Sequence, residues 1–123
     1  MGLTIHVVED NDMVRELLVE LLSEFKHDVT ASADVAQALA QLQARDFDVL
    51  MTDVQLGAES GIEMAQRVLQ TRPQQWVIFC SGYALTSAIE TMGSNVRSIL
   101  KPFEEDDLLA LLQQATDQLN ARH

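Results

Sequence analysis

The sequence predicts one α/β domain, a doubly wound parallel sheet of five strands with helices on both faces. Short apolar runs alternate with longer amphipathic runs five times along the 123 residues. No linker, internal repeat or low-complexity stretch interrupts this alternation. Strands that alternate with helices favour a parallel sheet covered on both faces, and a chain of this length forms about one domain.

The first half of the chain contains three predicted strands and two predicted helices. The strands are short runs rich in β-branched residues, and the helices carry apolar residues at three- and four-residue spacing. Asn11 or Asp12 can cap the first helix, and Ser32 or Asp34 lies near the start of the second. The strands cover residues 3–8, 28–31 and 47–52, and the helices cover residues 13–25 and 36–42.

A loop containing Gly57 and Gly61 follows the third strand. Ser60 and Glu63 then have the spacing of a capping box, in which the glutamate reaches back to the cap. The helix that starts there ends before Pro73, because the residue before a proline disfavours helix. The remaining elements are a strand at 76–80, a short helix at roughly 85–92, a strand at 96–100 and a helix that opens at 104 and continues to 119.

The composition excludes several classes of function. Eight basic residues against nineteen acidic ones give a net charge of −11, which disfavours binding to nucleic acid or to anionic lipid. Cys80 is the only cysteine, so an internal disulfide is excluded, and zinc-type Cys/His spacings are absent. No apolar run reaches the roughly 18 residues of a membrane span, and the N-terminus does not resemble a signal peptide. We therefore expect a cytoplasmic protein that contacts neither nucleic acid nor membrane.

Polar residues stand where four of the predicted strands end. Glu9 and Asp10 follow the first strand, Asp53 ends the third, Ser81 ends the fourth and Lys101 follows the fifth. The carboxyl ends of parallel strands meet at one edge of the sheet, where ligands bind in such folds. We therefore expect three carboxylates, a hydroxyl and an ammonium group in one shallow pocket.

The chemistry of this set points to phosphoryl transfer. Three neighbouring carboxylates repel one another, and a hard divalent cation such as Mg²⁺ would relieve the repulsion while keeping part of its shell open. Lys101 and Ser81 would offer donors to an anion beside the metal. Phosphoryl transfer requires mainly positioning and charge neutralisation, so few residues suffice.

The motifs at these strand ends resemble those of the response-regulator receiver domain of two-component signalling. They are Val7-Val8-Glu9-Asp10, Asp48 to Asp53, Ser81-Gly82 and Lys101-Pro102-Phe103, in that order along the chain. The similarity covers about residues 3–120. It implies a flavodoxin-like sheet of order 2-1-3-4-5 with five helices, a receiver domain at 3–121 and no output domain within these residues.

The resemblance implies a role for each strand-end residue. Asp53 would be the phosphoacceptor, and the chain would catalyse only its own Mg²⁺-dependent phosphorylation and dephosphorylation. Asp10 would bind Mg²⁺ directly, with Glu9 beside it through water. Asp53 and the main-chain carbonyl of Gln55 would complete the metal's protein ligands. The remaining two site residues are Lys101, which would pair with the aspartyl phosphate, and Ser81, which would turn toward it.

The resemblance also implies partners and a switch. The donor would be a phosphohistidine on a sensor histidine kinase or a phosphotransfer protein. Phosphorylation would shift the equilibrium of the face formed by the fourth helix, fifth strand and fifth helix. A downstream protein or a fused output domain would read that face, and the domain would be a monomer or a phosphorylation-linked dimer.

Three positions depart from the family pattern or add to it. Gly57 stands where the family usually has proline, so the loop could be more mobile, and Ser98 stands where the family often has an aromatic switch residue. A rotating aromatic is therefore not expected. Tyr83 follows Ser81 by two residues and would lie near the phosphate entrance. The family also leads us to expect a cis peptide between Lys101 and Pro102.

Other classes of protein remain as alternatives. A pseudo-receiver would be a protein-interaction module that never takes phosphate, although the complete set of site residues argues against it. A small phosphatase with an aspartate nucleophile usually needs a second acid two residues later, where this chain has Gln55, and a cap domain. A flavin-binding module is disfavoured, because the first β–α turn is acidic.

Some polar or reactive residues have plain structural interpretations. His6 lies within the first strand and is expected to be a hydrogen-bonded core residue. Cys80 is expected to be a small buried hydrophobe, and Trp76 to pack at the start of its strand. Asp12 is better explained by helix capping than by metal binding.

Overall fold

The structure is a computed structural model that describes residues 2–83, 89 and 91–121. Its main sheet contains five parallel strands, which lie side by side in the chain order second, first, third, fourth, fifth, as predicted. Their pairing is parallel throughout. We label these strands in chain order as β1 (Thr4–Val8), β2 (Asp28–Ser32), β3 (Val49–Asp53), β4 (Trp76–Ser81) and β5 (Val96–Leu100).

Four helices are found in the described residues: α1 (Asp12–Glu24), α2 (Val35–Ala44), α3 (Gly61–Thr71) and a C-terminal helix (Glu105–Ala121). The fourth predicted helix, at roughly 85–92, lies largely outside the described residues. None of the helices in the described part is long and apolar enough to cross a membrane.

Side-chain caps start the first three helices. Asn11 caps α1 by accepting from the Val14 N–H, and Asp34 caps α2. The Ser60 hydroxyl accepts from the Glu63 N–H at 3.2 Å, which is half of the predicted capping box. Within the described contacts, the reciprocal bond from the Glu63 side chain is not formed.

The core lies on both faces of the sheet, because successive residues of each strand point to opposite sides. Ile5 and Val7 of β1 pack into one apolar cluster with α1 and the C-terminal helix. Val8 packs into the second cluster with α2 and α3. Trp76 is fully buried in the first cluster, as predicted. This two-sided burial leaves the ends of the strands as the place where polar side chains can gather.

The segment after β3 differs from the predicted loop. Gln55–Leu56 and Glu59–Ser60 form a short antiparallel hairpin. Gly57 sits at its tip with a φ of +63°. This left-handed conformation is open to glycine but closed to proline, whose ring holds φ near −65°. The backbone conformation at Gly57 therefore explains why the family's usual proline is absent. The hairpin was not predicted, because strands of two residues are too short to give a sequence pattern.

Candidate functional site

The predicted site residues gather at the carboxyl edge of the sheet. β1 ends immediately before Glu9, and β5 ends immediately before Lys101. The register places Asp53 of β3 opposite Cys80, next to Ser81 of β4. The parallel topology thus brings together residues that are up to 92 positions apart in the chain.

Three carboxylates form the centre of this edge. Glu9, Asp10 and Asp53 each place one oxygen within 4.8 Å of the other two. The Glu9 and Asp53 side chains are only 4% and 13% exposed, whereas Asp10 is exposed. Clustered carboxylate oxygens with one open side suit Mg²⁺, which keeps several waters and binds through one or two carboxylates. The donor set therefore fits the cation expected from the sequence.

Lys101 supplies a positive charge that offsets part of the negative charge of this cluster. Its Nζ lies 2.5 Å from Asp53 Oδ1 and 3.4 Å from Glu9 Oε1. Burial on its own would lower the pKa of Lys101, but the hydrogen bond to Asp53 and the charges of Asp53 and Glu9 outweigh it. The pKa therefore lies above its usual value, and the ammonium group stays charged at neutral pH.

Arg15, which no motif in the sequence indicated, also belongs to this edge. Its Nη1 donates to the main-chain carbonyl of Glu9 at 2.9 Å, and its Nη2 contacts Asp12 Oδ1 at 2.6 Å. The signal in the sequence was weak, because an arginine in the first turns of an amphipathic helix is an ordinary surface residue. Only the turn of the chain between Glu9 and Asp12 brings the guanidinium to the site.

Ser81 is buried at the end of β4 beside the acidic cluster. Its hydroxyl accepts a hydrogen bond from the Tyr83 N–H at 3.1 Å. Its carbonyl accepts from the Lys101 N–H at 2.7 Å, so the two residues are tied through the main chain. The peptide bond between Lys101 and Pro102 is cis, as expected.

Gln55 lies in the hairpin directly after β3, with an exposed side chain that donates to the Gly57 carbonyl at 3.4 Å. Within the described residues no hydrogen bond joins Gln55 to the acidic cluster. The hairpin is closed at its base by the Gly61 N–H, which donates to the Val54 carbonyl at 2.7 Å. The role expected for the Gln55 carbonyl therefore stays a prediction.

Cys80 is buried in the strand next to Asp53. Burial and the charge of Asp53 raise the pKa of its thiol to about 12, against the opposing effect of Lys101. Because the thiolate is the reactive form of cysteine, this residue cannot act as a nucleophile at neutral pH. It is the small buried hydrophobe that the sequence predicted.

Comparison with known proteins identifies the same family as the motifs. The family model for the response regulator receiver domain matches residues 5–113. The response regulator receiver protein CpdR of Brucella abortus is 31% identical over 103 residues, which cover 82% of this chain and 85% of CpdR. The sensory transduction protein LytT of Enterococcus faecalis is 28% identical over 92% of this chain but only 48% of its own length.

Solved structures share the fold. A response regulator receiver domain protein from Clostridium thermocellum superposes over 100% of both chains with a TM-score of 0.88 at 20% identity. The response regulator TrrA of Thermotoga maritima, solved in complex with Mg²⁺ and BeF, covers 94% of this chain and 99% of its own, with a TM-score of 0.83 at 22% identity. The chain spans about half the length of LytT and several other curated relatives.

Proposed function

Because the chain belongs to the response regulator receiver domain family, we propose that Asp53 accepts a phosphoryl group in a Mg²⁺-dependent reaction. The donor is a phosphohistidine on a sensor histidine kinase or a phosphotransfer protein. A bond forms between an Asp53 carboxylate oxygen and phosphorus while the bond from phosphorus to the imidazole nitrogen breaks. That nitrogen keeps the electron pair and takes up a proton from solvent.

The contact between Asp53 and Lys101 carries this proposal. An acceptor carboxylate must approach an anionic phosphoryl group, so nearby positive charge has to offset the repulsion between them. The Lys101 ammonium, 2.5 Å from Asp53 Oδ1, can shift from the carboxylate to the incoming phosphoryl oxygens. The buried Ser81 hydroxyl can turn toward the same oxygens when it releases the Tyr83 N–H.

Asp10, Asp53 and the main-chain carbonyl of Gln55 would hold the metal, with Glu9 beside them through water. A bound Mg²⁺ supplies neutralisation of the charge on the phosphoryl oxygens. The oxygens of Glu9, Asp10 and Asp53 that lie within 4.8 Å of one another support this assignment. The fold similarity to TrrA in its Mg²⁺ and BeF complex is consistent with it.

We further propose that phosphorylation changes the face formed by the fourth predicted helix, β5 and the C-terminal helix. Leu100 of β5 is 56% exposed there. It lines a shallow groove together with Ser98 of β5 and Leu111 of the C-terminal helix. Exposed apolar side chains along a groove suit a protein partner, here a downstream protein or an output domain. No direct contact with nucleic acid or membrane is proposed.

The test is the intact mass of the protein after incubation with Mg²⁺ and acetyl phosphate, a small phosphodonor. We expect one added phosphoryl group on the wild type and none on Asp53→Asn, because the amide cannot form the acyl phosphate. Chelation of Mg²⁺ should abolish the adduct on the wild type. Asp48→Asn, an acid at the opposite end of β3, serves as a matched control that still accepts phosphate.

Two results would contradict the proposal. An adduct that persists in Asp53→Asn would place the acceptor elsewhere. The absence of both an adduct and Mg²⁺-dependent beryllofluoride binding would favour a pseudo-receiver that acts only as an interaction module. Beryllofluoride binding without an adduct would instead indicate an acceptor restricted to its own protein donor.

A further inference from the structure

Arg15 contacts two residues, Glu9 and Asp12, of the segment 9–12 that carries the proposed metal ligands. It lies on α1 with a side chain 21% exposed, and its two terminal nitrogens contact different residues of that segment. We infer that Arg15 is a positioning residue that holds the peptide between Glu9 and Asp10 in the orientation that Mg²⁺ binding requires. This inference rests on the proposed function of the same site.

The geometry of the two contacts explains why an arginine is used. One nitrogen donates to the Glu9 carbonyl at 2.9 Å and the other contacts Asp12 Oδ1 at 2.6 Å. A planar guanidinium fixes both donors in one rigid fork, whereas a lysine presents one compact ammonium on a flexible stem. Arg15 therefore fixes the direction of the Glu9 carbonyl relative to α1.

The position of the carbonyl determines the position of Asp10. The Glu9 carbonyl and the Asp10 nitrogen belong to one planar peptide unit, so a rotation of that carbonyl moves Asp10. Glu9 itself is anchored elsewhere, since its N–H donates to the Ser32 carbonyl at 3.1 Å and its carboxylate accepts from Lys101 and Asn11. Asp10 makes no hydrogen bond within the described residues. Its placement therefore depends on the backbone that Arg15 holds.

A purely electrostatic role for Arg15 would have the opposite effect. A positive charge near the carboxylates repels a divalent cation, so its removal alone should tighten Mg²⁺ binding. The ion pair between Arg15 and Asp12 offsets part of that positive charge. Positioning and charge thus predict changes of opposite sign, and they can be separated by two substitutions.

The test measures Mg²⁺ and Ca²⁺ dissociation constants by calorimetry for the wild type, Arg15→Lys and Arg15→Gln. We expect Mg²⁺ binding about tenfold weaker in both variants, the size of effect seen when groups that orient metal ligands are lost. Ca²⁺ binding should weaken less than about threefold, because Ca²⁺ accepts flexible geometry whereas Mg²⁺ demands near-ideal octahedral geometry. Arg45→Lys, which affects an ion pair with Asp28 at the opposite end of the sheet, should change neither constant.

Three outcomes would overturn the inference. Wild-type Mg²⁺ affinity in Arg15→Lys with tighter binding in Arg15→Gln would mean that the residue acts through charge alone. Equal losses of Mg²⁺ and Ca²⁺ affinity, with a lower melting temperature of the metal-free variant, would mean a general structural role. A wild type that binds no Mg²⁺ would contradict the proposed function itself, and the inference with it. The first two outcomes leave the proposed function intact.

Discussion

His6 shows how a single buried residue can link stability to pH. Its ring is fully buried, and its two nitrogens contact the Thr30 and Ser32 hydroxyls at 2.7 Å each. Burial, with a further contribution from the charge of Arg45, lowers the pKa of His6 to about 4. The sequence predicted a hydrogen-bonded core histidine here, and the structure confirms it.

We expect His6 to make the protein less stable in mild acid. Between the pKa of about 4 in the folded state and the usual value of 6.5, the unfolded chain binds a proton that the folded chain does not. The contribution of His6 to the free energy of unfolding is therefore complete above about pH 7. It decreases as the pH falls, by about 2 kcal/mol between pH 8 and pH 5. Urea unfolding at several pH values in this range gives the free energy of unfolding of the wild type and of His6→Gln as a function of pH. We expect this free energy to fall more steeply with acid in the wild type. Parallel curves would contradict the prediction.

The site residues differ in how visible they are in the sequence. Glu9, Asp53 and Lys101 could be predicted because each stands at the end of an apolar run, and the parallel topology fixes where such ends meet. Arg15 could not, because its contribution depends on where a long side chain reaches across a turn. The contact of the Ser81 hydroxyl with the Tyr83 N–H was also missed, since it is a local choice of rotamer.

Among the elements, the hairpin after β3 was the one the sequence did not reveal. Its strands contain two residues each, too few for an alternating pattern. The other strands and helices agreed with prediction to within two residues at the described ends, because their apolar periodicity is sustained. The residue that lets the hairpin return so closely to β3 is Gly61.

Replacement of Gly61 tests this close approach. A Cβ at this position would lie 1.8 Å from the Asp53 carbonyl oxygen, a main-chain atom that can move only with the sheet. We expect Gly61→Ala to lower the free energy of unfolding by about 2–3 kcal/mol, measured by chemical denaturation. Gly82→Ala is the matched control, because its Cβ would meet no atom within 4 Å and should cost less than about 0.5 kcal/mol. Equal losses in the two variants would contradict the steric argument.

At the scale of the whole molecule, the two apolar clusters attach the helices to opposite faces of the sheet. α1 and the C-terminal helix pack on one face of the sheet, and α2 and α3 pack on the other. The proposed output face lies along β5, at one edge of the sheet, whereas β2 forms the opposite edge. We therefore expect a change at Asp53 to reach β5 through Lys101, which contacts Asp53 and directly follows β5, whereas no proposed site residue lies on β2.

Hydrogen exchange of the whole chain tests this asymmetry. We expect Mg²⁺ and beryllofluoride, an analogue of the phosphoryl group, to slow amide exchange several-fold in β5 and the first turns of the C-terminal helix, because a bound analogue favours one of two states. Exchange in β2 should stay unchanged and serves as an internal reference. Uniform slowing along the chain, or the same pattern in Asp53→Asn, would contradict a switch confined to this face.

Because Cys80 is buried, the reactivity of its thiol can report when the sheet opens. The chain contains one thiol, and it lies inside β4 with a pKa of about 12, paired in register with Asp53. A thiol-modifying reagent at neutral pH can react only while β4 has separated from its neighbours. The rate of covalent labelling of Cys80 therefore reports how often β4, the strand next to the proposed phosphoacceptor Asp53, separates from the sheet, and no foreign probe has to be introduced.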